Sequence, residues 1–395
     1  MDFKDKIAQL CLEKYSYLKK TGKPTEKEWT ILSGVVLEDN LNNFKVVSLC
    51  TGTKCLSGKE LKNTEYCNLG NKLNDSHAEI LTRRAFIRYL YHQILIAINE
   101  DKSEIFYLKE RKIEMKDVNF HFFSSQTPCG DCSIIPKSKI DVSQSPPKKM
   151  RKSDEGSFEQ EYGQEVEDIH RTGAKCIENG KQDKHGQGVD FHTLGPLRTK
   201  PGRGDRTLSL SCSDKMSKWN IMGVQGALLT LLIKPIHFKS IIIGGGCPYS
   251  LDSMERGLFK RFDPNTKAPV INQSLMAFEH SKDGIRLRPC PSSIVWCDVS
   301  EKSLEISVNG LKQGATKNKK NTNLLRISRK ELFKTFLAVY DQYSNSTKIA
   351  QHPKKMTYYQ CKQYCVSYQN KWKSKEHIFR LWPAKPLHLK ECLSF

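Results

Sequence analysis

The sequence has no run of the roughly twenty apolar residues that a membrane-spanning helix requires, and residues 1–20 are charged and amphipathic rather than a signal peptide. We therefore expect no membrane partner and an intracellular protein of the nucleus or cytoplasm. Acidic residues are scarce beside basic ones, 43 Asp and Glu against 64 Lys and Arg, which leaves a net charge of +21. This excess predicts a polyanionic partner, of which nucleic acid is the commonest kind.

Cysteine, in contrast, is plentiful, with 14 residues in the chain. Because there is no secretory signal, we interpret them as reduced thiols, a few of them metal ligands, rather than as a disulfide framework. We therefore expect no disulfide-linked partner. The sequence leaves the oligomeric state open.

Hydrophobic periodicity gives helix signals and strand signals along the chain. It predicts helices over residues 5–18, 80–98, 214–233, 330–340 and 357–373, with another beginning at Thr127-Pro128. It predicts strands over residues 29–37, 44–50, 118–122 and 238–246. Apolar residues are sparse from about 137 to 192, where we predict a mostly disordered insertion.

Two short motifs supply the residues of a hydrolytic zinc site. His77-Ala-Glu79 opens the long helix, and Pro128-Cys129-Gly-Asp-Cys132 follows a strand. Such a site needs three protein ligands, an open position for water and a base beside that water. His77 and Glu79 are two residues apart, a rise of about 3 Å, so a metal on the first leaves its water within reach of the second. His-x-Glu followed by Pro-Cys-x-x-Cys is the signature of zinc nucleobase deaminases.

Each motif also has a purely structural interpretation. Ser76-His-Ala-Glu79 fits a capping box, in which Glu79 hydrogen-bonds the Ser76 N–H. Cys129 and Cys132 could form a redox pair or half of a structural zinc site. The two motifs in this order favour the catalytic interpretation, with Cys129 stabilised as a thiolate at a helix N-terminus. By spacing alone, Cys132 would be the third ligand.

A further segment, Ser209-Leu-Ser-Cys212-Ser-Asp-Lys215, resembles the SCSDK motif of the adenosine deaminases that act on RNA. Three other stretches are similar to that family: Thr51-Gly-Thr-Lys-Cys55, Leu73-Asn-Asp-Ser-His-Ala-Glu79 and Pro128-Cys-Gly130. The resemblance runs from about residue 34 to 386. It implies zinc-dependent hydrolysis of adenosine to inosine.

The resemblance assigns roles to the motif residues. It implies that three side chains bind Zn²⁺: His77, Cys129 and Cys212. Cys132 would then be an ordinary buried thiol. Glu79 would take a proton from the attacking water and pass it to the departing ammonia.

The fold that the resemblance implies is a three-layer cytidine-deaminase-like α/β core with a mixed sheet. We expect an N-terminal helix within residues 1–28 and the deaminase domain over residues 29–395. The C-terminal hundred residues would form a helical part of the same domain.

Within the family, the sequence looks most like the enzymes that modify tRNA. Two stretches resemble them, Arg171-Thr-Gly-Ala-Lys-Cys176 and Pro201-Gly-Arg203-Gly-Asp-Arg-Thr207, and no double-stranded RNA-binding domain would fit before Trp29. Arg203 stands where duplex editors carry a Glu that fills the space of the flipped base. This implies that the substrate is adenosine 37, 3′ of the anticodon, in an alanine tRNA. The alternatives are an editor of double-stranded RNA or mRNA and a non-catalytic RNA-binding protein.

The excess positive charge has two expected destinations. For the RNA backbone we predict contacts from Lys54, Lys200, Arg203 and Arg206. RNA-editing members of the family also bury inositol hexakisphosphate, and interior cations need such an anion. Its predicted ligands are Asn74, Arg83, Arg84, Lys215, Lys218, Arg329, Tyr358, Lys362, Tyr368, Trp382 and Lys385.

Overall fold

The computed structural model describes residues 1–62, 70–136, 169–177, 181–184, 191–202, 206–262, 268–315, 324–347 and 356–383. The helices in this part of the chain are α1 (Phe3–Tyr17), α2 (Gly58–Lys62), α3 (Ala78–Asn99), α4 (Cys212–Met222), α5 (Leu251–Glu255), α6 (Arg329–Thr347), α7 (Tyr358–Tyr364), α8 (Val366–Ser374) and α9 (Glu376–Phe379).

The strands up to the middle of the chain are β1 (Glu28–Trp29), β2 (Leu32–Glu38), β3 (Phe44–Thr51), β4 (Thr53–Cys55), β5 (Asp75–His77), β6 (Phe106–Lys109), β7 (Lys112–Met115), β8 (Asn119–Ser124) and β9 (Ile135–Pro136). Those that follow are β10 (Ile169–His170), β11 (Lys175–Cys176), β12 (Arg198–Thr199), β13 (Ser240–Gly245), β14 (Val270–Ala277), β15 (Arg288–Pro289), β16 (Ser292–Cys297), β17 (Leu304–Val308) and β18 (Leu311–Lys312).

One eight-stranded mixed sheet organises the fold, in the order β14-β13-β8-β2-β3-β16-β17-β18. β14, β13 and β8 pair in parallel, whereas the pairs from β8 to β18 are antiparallel. Every residue of β2 is buried, because helices cover both faces of the sheet at its centre.

The alternation of side chains along β2 separates two apolar cores. Val35 and Leu37 pack with α3 on one face. Val36, between them, packs with α1 residues such as Ile7 and Cys11 on the other. Because successive side chains of a strand point to opposite faces, α1 and α3 lie on opposite sides of the sheet. The predicted three-layer α/β architecture is therefore confirmed.

The C-terminal helices extend the α3 side of the sheet rather than building a separate core. Phe333 and Phe336 of α6, Cys361 of α7 and Tyr368 of α8 are buried in the same apolar cluster as α3. Helix α6 packs directly along α3. The C-terminal helical part that we expected is present.

Several predicted elements differ in extent. The helix expected from Thr127 is a loop with a single 3₁₀ turn, Asp131–Ser133. The helix expected over 214–233 begins earlier, at Cys212, and ends at Met222, where Gly223 adopts a positive φ of 90°. The helix expected over 357–373 is broken at Cys365, whose φ and ψ of −75° and 70° are not helical.

The structure describes only parts of the predicted insertion over about 137–192. Residues 169–177, 181–184 and 191–192 are described, and β10 and β11 lie among them. These short strands pair with β9 and β12, so backbone hydrogen bonds order a stretch that has few apolar side chains. Residues 137–168, 178–180 and 185–190 of the insertion lie outside the described residues.

The sequence predicted neither a membrane-spanning helix nor a disulfide framework. Among the described residues, no helix is both long enough and apolar enough to cross a membrane. The twelve cysteines of the described ranges are all free thiols.

Candidate active site

The position of His77 follows from a close approach of two strands. β5 pairs antiparallel with β4, and His77, its last residue, lies opposite Thr53. Helix α3 begins at the next residue, Ala78, whose N–H donates to the carbonyl of Gly52 across 3.0 Å. A Cβ atom at Gly52 would lie 2.0 Å from the Ser76 carbonyl oxygen, so only glycine fits here. His77 is thereby fixed at the start of the helix, as predicted.

The two sulfur-bearing segments meet at the start of α4. Cys129 follows β8 in the loop that precedes the 3₁₀ turn, and Cys212 is the first residue of α4. The backbone N–H of Cys212 donates to Cys129 Sγ across 3.3 Å. Cys129 therefore does not start a helix of its own, and the N-terminus of α4 supplies the donor instead.

His77, Cys129 and Cys212 form a compact cluster of donor atoms. His77 Nδ1 lies 3.9 Å from Cys129 Sγ and 3.6 Å from Cys212 Sγ, and the three donor atoms lie within 4.8 Å of one another. One imidazole nitrogen and two thiol sulfurs at this spacing could hold a metal ion, and the set suits Zn²⁺. Cys132 is not part of the cluster, because it is buried with its thiol directed to the Met254 carbonyl oxygen, 3.9 Å away.

The surroundings favour a thiolate at Cys129. Its hydrogen bond with Cys212 and the positive charge of Lys200 outweigh burial and hold the pKa of Cys129 well below its usual range. Cys132 shows the opposite behaviour, since burial raises the pKa of its thiol to about 12. Of the two thiols in the Cys-x-x-Cys motif, Cys129 is therefore the one prepared to bind a metal.

Glu79 is the second residue of α3, two positions after His77, and its side chain is buried. Oε2 of its carboxyl group has no hydrogen-bond partner among the described residues. The capping box does not form, because His77 is the N-cap residue of α3 and no side chain caps the helix. Burial raises the pKa of Glu79, although the positive charge of Lys200 acts against it. A buried carboxyl group with a free oxygen is suited to proton transfer.

A buried ionic network lies behind His77. Asp75 Oδ1 accepts from the His77 backbone N–H at 3.0 Å and from Lys200 Nζ at 2.8 Å. Its other oxygen, Oδ2, binds Lys200, Lys215 and the Ser209 hydroxyl. Burial alone would raise the pKa of Asp75, but the two ammonium groups hold it well below its usual range. The network therefore carries a paired charge and fixes the backbone of a metal ligand.

This network corrects one predicted RNA contact. Lys200 is 1% exposed, and both oxygens of Asp75 engage its ammonium group. Its charge is thus neutralised inside the protein rather than offered to a phosphate. Its partner lies 125 residues away in the sequence, and nothing local to Lys200 indicates that pairing.

A cavity of about 560 Å³ lies on the other side of Asp75 and Lys215, between α3, α4, α7 and α8. The predicted polyphosphate ligands that the structure describes all line it: Asn74, Arg83, Arg84, Lys215, Lys218, Arg329, Tyr358, Lys362, Tyr368 and Trp382. Lys385 lies outside the described residues. The structure adds lining residues that the sequence did not single out: Lys72, Tyr359, Gln363, Gln369 and Trp372.

Cations far outnumber anions around this cavity. Among the described residues, its lining includes seven lysine and arginine residues and one carboxylate, Asp75, which is already paired. Burial, together with the charges of Lys362, Arg83 and Lys215, holds the pKa of Lys218 well below its usual range. A cavity of this charge fits a compact polyanion, since the walls alone leave its cations in mutual repulsion.

Comparison with known proteins decides the family. A model of the adenosine-deaminase (editase) domain matches residues 48–386. The chain belongs to the adenosine-deaminase (editase) family. It is 40% identical to the Drosophila melanogaster protein named tRNA-specific adenosine deaminase 1, over 97% of this chain and 95% of that protein. Identity to the Homo sapiens protein of the same name is 33%, over 97% and 98%.

A second group of editase relatives matches over a shorter part of their length. The Drosophila melanogaster protein named double-stranded RNA-specific editase Adar is 34% identical over 61% of this chain, but only 33% of that protein is covered. The chain is thus an adenosine deaminase, and its full-length similarity is to the proteins named for tRNA.

Two of the three remaining predicted RNA contacts of this editase, Lys54 and Arg206, belong to the described residues. Lys54 is half-buried on β4, next to the strand of His77. Arg206 is exposed, and one of its nitrogens donates to the Cys176 carbonyl oxygen across 3.2 Å. Arg203 lies outside the described residues.

Thr172 is a site residue that the sequence did not reveal. Its hydroxyl oxygen accepts the N–H of Gly130 across 3.2 Å, which fixes the loop of Cys129 from the outside. The Cβ of a larger residue at Gly130 would meet Ser211 Oγ at 2.3 Å. Thr172 belongs to the Arg171-Thr-Gly motif, but only the fold shows that it contacts Gly130.

Proposed function

We propose that this adenosine deaminase converts adenosine to inosine in tRNA, at adenosine 37 beside the anticodon of an alanine tRNA. Its action would be intracellular, in the nucleus or cytoplasm. The observation that carries the proposal is the free, buried Oε2 of Glu79 beside the cluster of His77, Cys129 and Cys212. The proteins named tRNA-specific adenosine deaminase 1, which this chain matches along nearly their whole length, support the tRNA substrate.

We infer that the metal is zinc, held by His77, Cys129 and Cys212. The nitrogen and sulfur donors fit this ion, and three protein ligands leave the fourth position open. When bound, zinc supplies the Lewis acidity that makes water a nucleophile near neutral pH. Asp75 keeps His77 in place through the backbone N–H, and the Cys212 N–H orients the Cys129 sulfur.

Glu79 would act as the proton shuttle of the reaction. Its carboxylate accepts a proton from the attacking water at Oε2, the oxygen that no protein group engages. Burial raises its pKa, which favours holding that proton until the amino group of the base leaves as ammonia. Because the Glu79 side chain is 1% exposed, bulk water does not compete for the proton.

We further propose that the cationic cavity binds inositol hexakisphosphate. Several phosphate groups would neutralise the lysines and arginines of the lining, among which Asp75 is the one described carboxylate, and tyrosine hydroxyls at Tyr358 and Tyr368 would donate to phosphate oxygens. Lys215 bridges the cavity and Asp75, so the ligand would stabilise the network that supports His77.

Editing of double-stranded RNA is the second candidate function. The similarity to the protein named double-stranded RNA-specific editase Adar favours it, although that similarity covers only a third of the relative. Both functions use the same chemistry, so the substrate alone separates them.

The test is incubation of the purified protein with alanine tRNA, other tRNAs and long duplex RNA, followed by mapping of inosine. We expect inosine at position 37 of alanine tRNA and none in the duplex. Inosine only in the duplex would replace the proposal with the second candidate. Binding of tRNA without inosine would show a non-catalytic RNA-binding protein.

A further inference from the structure

Residues 281–291, which we name the rim loop, project from the surface between β14 and β16. The loop is held at both ends by the segment around β1. The His280 carbonyl accepts the N–H of Thr30 at 3.0 Å, and the N–H of Cys290 donates to the Trp29 carbonyl at 2.8 Å. β15, inside the loop, pairs with β1. The rim loop therefore has a defined position.

A tight turn orders the tip of the rim loop. Asp283 Oδ1 accepts the backbone N–H groups of Ile285, at 2.8 Å, and Arg286, at 2.6 Å. Its other oxygen pairs with the Arg286 guanidinium at 2.6 Å. This arrangement fixes the backbone that carries the next side chains and uses the single carboxylate of residues 281–291.

Two aliphatic side chains on this fixed backbone face solvent. Ile285 is 71% exposed and Leu287 is 62% exposed. Lys282 and Arg288 beside them are also exposed. A single exposed aliphatic residue needs no explanation, but two on one ordered loop between cations combine apolar and positively charged surface at one place.

The C-terminal end of the rim loop lies next to the strand that carries His77. Ser293, two residues after the loop, and Ser76, one residue before His77, both approach Gly52 closely. A Cβ at Gly52 would meet Ser293 Oγ at 2.5 Å and the Ser76 carbonyl oxygen at 2.0 Å. Burial raises the pKa of Cys290 to about 11, and Lys54, two residues beyond Gly52, lies close enough to this thiol for its charge to act against that rise.

We propose that the rim loop binds unpaired nucleotides of the substrate beside the reactive adenosine. Ile285 and Leu287 would pack on exposed base faces, while Lys282 and Arg288 would bind the flanking phosphates. Unpaired bases present apolar faces that a duplex keeps stacked inside, so the loop suits a single-stranded RNA loop. The positive charge that surrounds the aliphatic pair favours RNA over a protein surface. This inference rests on the proposed function for its substrate, an RNA loop.

The test is a binding measurement with the full chain, using fluorescence anisotropy. The probes are an anticodon stem-loop with an unpaired loop and a blunt duplex of the same composition. For the double variant Ile285→Ser/Leu287→Ser we expect about tenfold weaker binding to the stem-loop and unchanged binding to the duplex. Arg288→Ala should weaken binding to both RNAs and reduce the salt slope by about one.

Leu41→Ser is the matched control. Leu41 is 74% exposed in the turn between β2 and β3, at the opposite end of β3 from Gly52. We expect it to bind both RNAs like the unsubstituted protein. Because all three substituted aliphatic residues are exposed, their replacement by Ser should leave the thermal unfolding midpoint unchanged, which calorimetry checks.

Unchanged affinity of the double variant for the stem-loop would overturn the inference. So would an equal loss on stem-loop and duplex, or a change in self-association with RNA binding intact, which would make the loop a protein-docking surface. Binding requires no turnover. A chain that binds the stem-loop through Ile285 and Leu287 yet forms no inosine would therefore uphold the inference and refute the proposed function.

Discussion

The backbone N–H of Cys212 donates to the sulfur of Cys129 across 3.3 Å, although the two residues are 83 positions apart. The bond joins the loop after β8 to the first turn of α4. It directs the positive end of the helix dipole at Cys129 and brings both sulfurs within 4 Å of His77 Nδ1. Contacts between these protein segments therefore hold the three donor atoms at a spacing that suits one metal ion.

The first prediction concerns the choice of sulfur ligand. Cys212→Ser should lower bound zinc by at least about tenfold, because a hydroxyl group is a much poorer zinc ligand than a thiolate. Cys132→Ser, the matched control, should retain zinc, since that thiol points to Met254 and away from the cluster. Metal content by mass spectrometry is the measurement. Loss of zinc in the Cys132 variant alone would overturn the ligand assignment.

The second prediction concerns the proton shuttle. Glu79→Gln keeps the size of the side chain and one carbonyl oxygen but cannot hold a transferable proton at Oε2. We expect unchanged zinc content and a loss of about 10²–10⁴-fold in the single-turnover rate of inosine formation. Glu60→Gln, on the short helix α2, is the control and should keep full activity. Inosine formation by the Glu79 variant at the unsubstituted rate would remove the residue from the mechanism.

Much of the site could be predicted from local sequence. The long apolar period after residue 80 places α3, and the motif that precedes it puts His77 at the helix start. The segment around Cys212 is a second local signal, since Ser211 accepts the N–H of Asp214 as an N-cap residue should. Where a residue's environment is made by its own helix, the pattern is sufficient.

The rest depends on partners that are distant in sequence. Cys129 was expected on a helix, but Thr172 and the start of α4 hold its loop instead. Lys200 was expected on the RNA surface, but Asp75 draws it into the interior. The helix break at Cys365 could not be predicted, because no proline or glycine lies in residues 357–373. Such features arise from tertiary contacts that override local propensity.

The third prediction concerns the cationic cavity. The effect of substituting Lys218 on the unfolding midpoint should change sign when the ligand binds. Burial and neighbouring cations hold the pKa of Lys218 well below its usual range, so a lysine at this position destabilises the anion-free fold at pH 7. Lys218→Met should therefore raise the unfolding midpoint without inositol hexakisphosphate and lower it, relative to the unsubstituted protein, when the ligand is added. Thermal denaturation at both conditions is the measurement.

Lys234→Met is the control for the cavity. The Lys234 side chain is 81% exposed, and its ion pair with Glu114 is worth at most about 1 kcal/mol. We expect the same small effect with and without the ligand. If Lys218→Met behaves like Lys234→Met in both conditions, the cavity does not bind the polyphosphate.

The fourth prediction is a pH dependence of stability from Asp75. Because Lys200 and Lys215 hold its folded-state pKa well below the usual 3.8, the carboxylate stabilises the fold above about pH 4, and this contribution is lost as pH falls through the lower folded-state value. Asp75→Asn should cost about 3–5 kcal/mol at pH 7, since it leaves a buried ammonium group unpaired, and the cost should shrink below pH 4. Urea unfolding across this range measures it.

Asp298→Asn provides the comparison for Asp75. It makes the same chemical change in a half-exposed pair with Lys45, 2.7 Å away, for which we expect less than about 1 kcal/mol. An Asp75 variant as stable at pH 7 as the Asp298 variant would mean that the network behind His77 contributes no more than a surface ion pair.

The fifth prediction separates two cations that the sequence made equivalent, Arg206 and Lys200. Arg206 is exposed and can exchange its contact with the Cys176 carbonyl for a contact with a phosphate. The ammonium group of Lys200, in contrast, is buried in an ion pair with Asp75. A phosphate contact releases counterions, so Arg206→Ala should weaken tRNA binding and reduce the slope of log K against log salt by about one. Lys200→Met should leave that slope unchanged and lower the unfolding midpoint, because it strands Asp75. Binding titrations at several salt concentrations, with thermal unfolding of the same samples, distinguish the two effects. A reduced slope in the Lys200 variant would show that its charge reaches the RNA despite its burial.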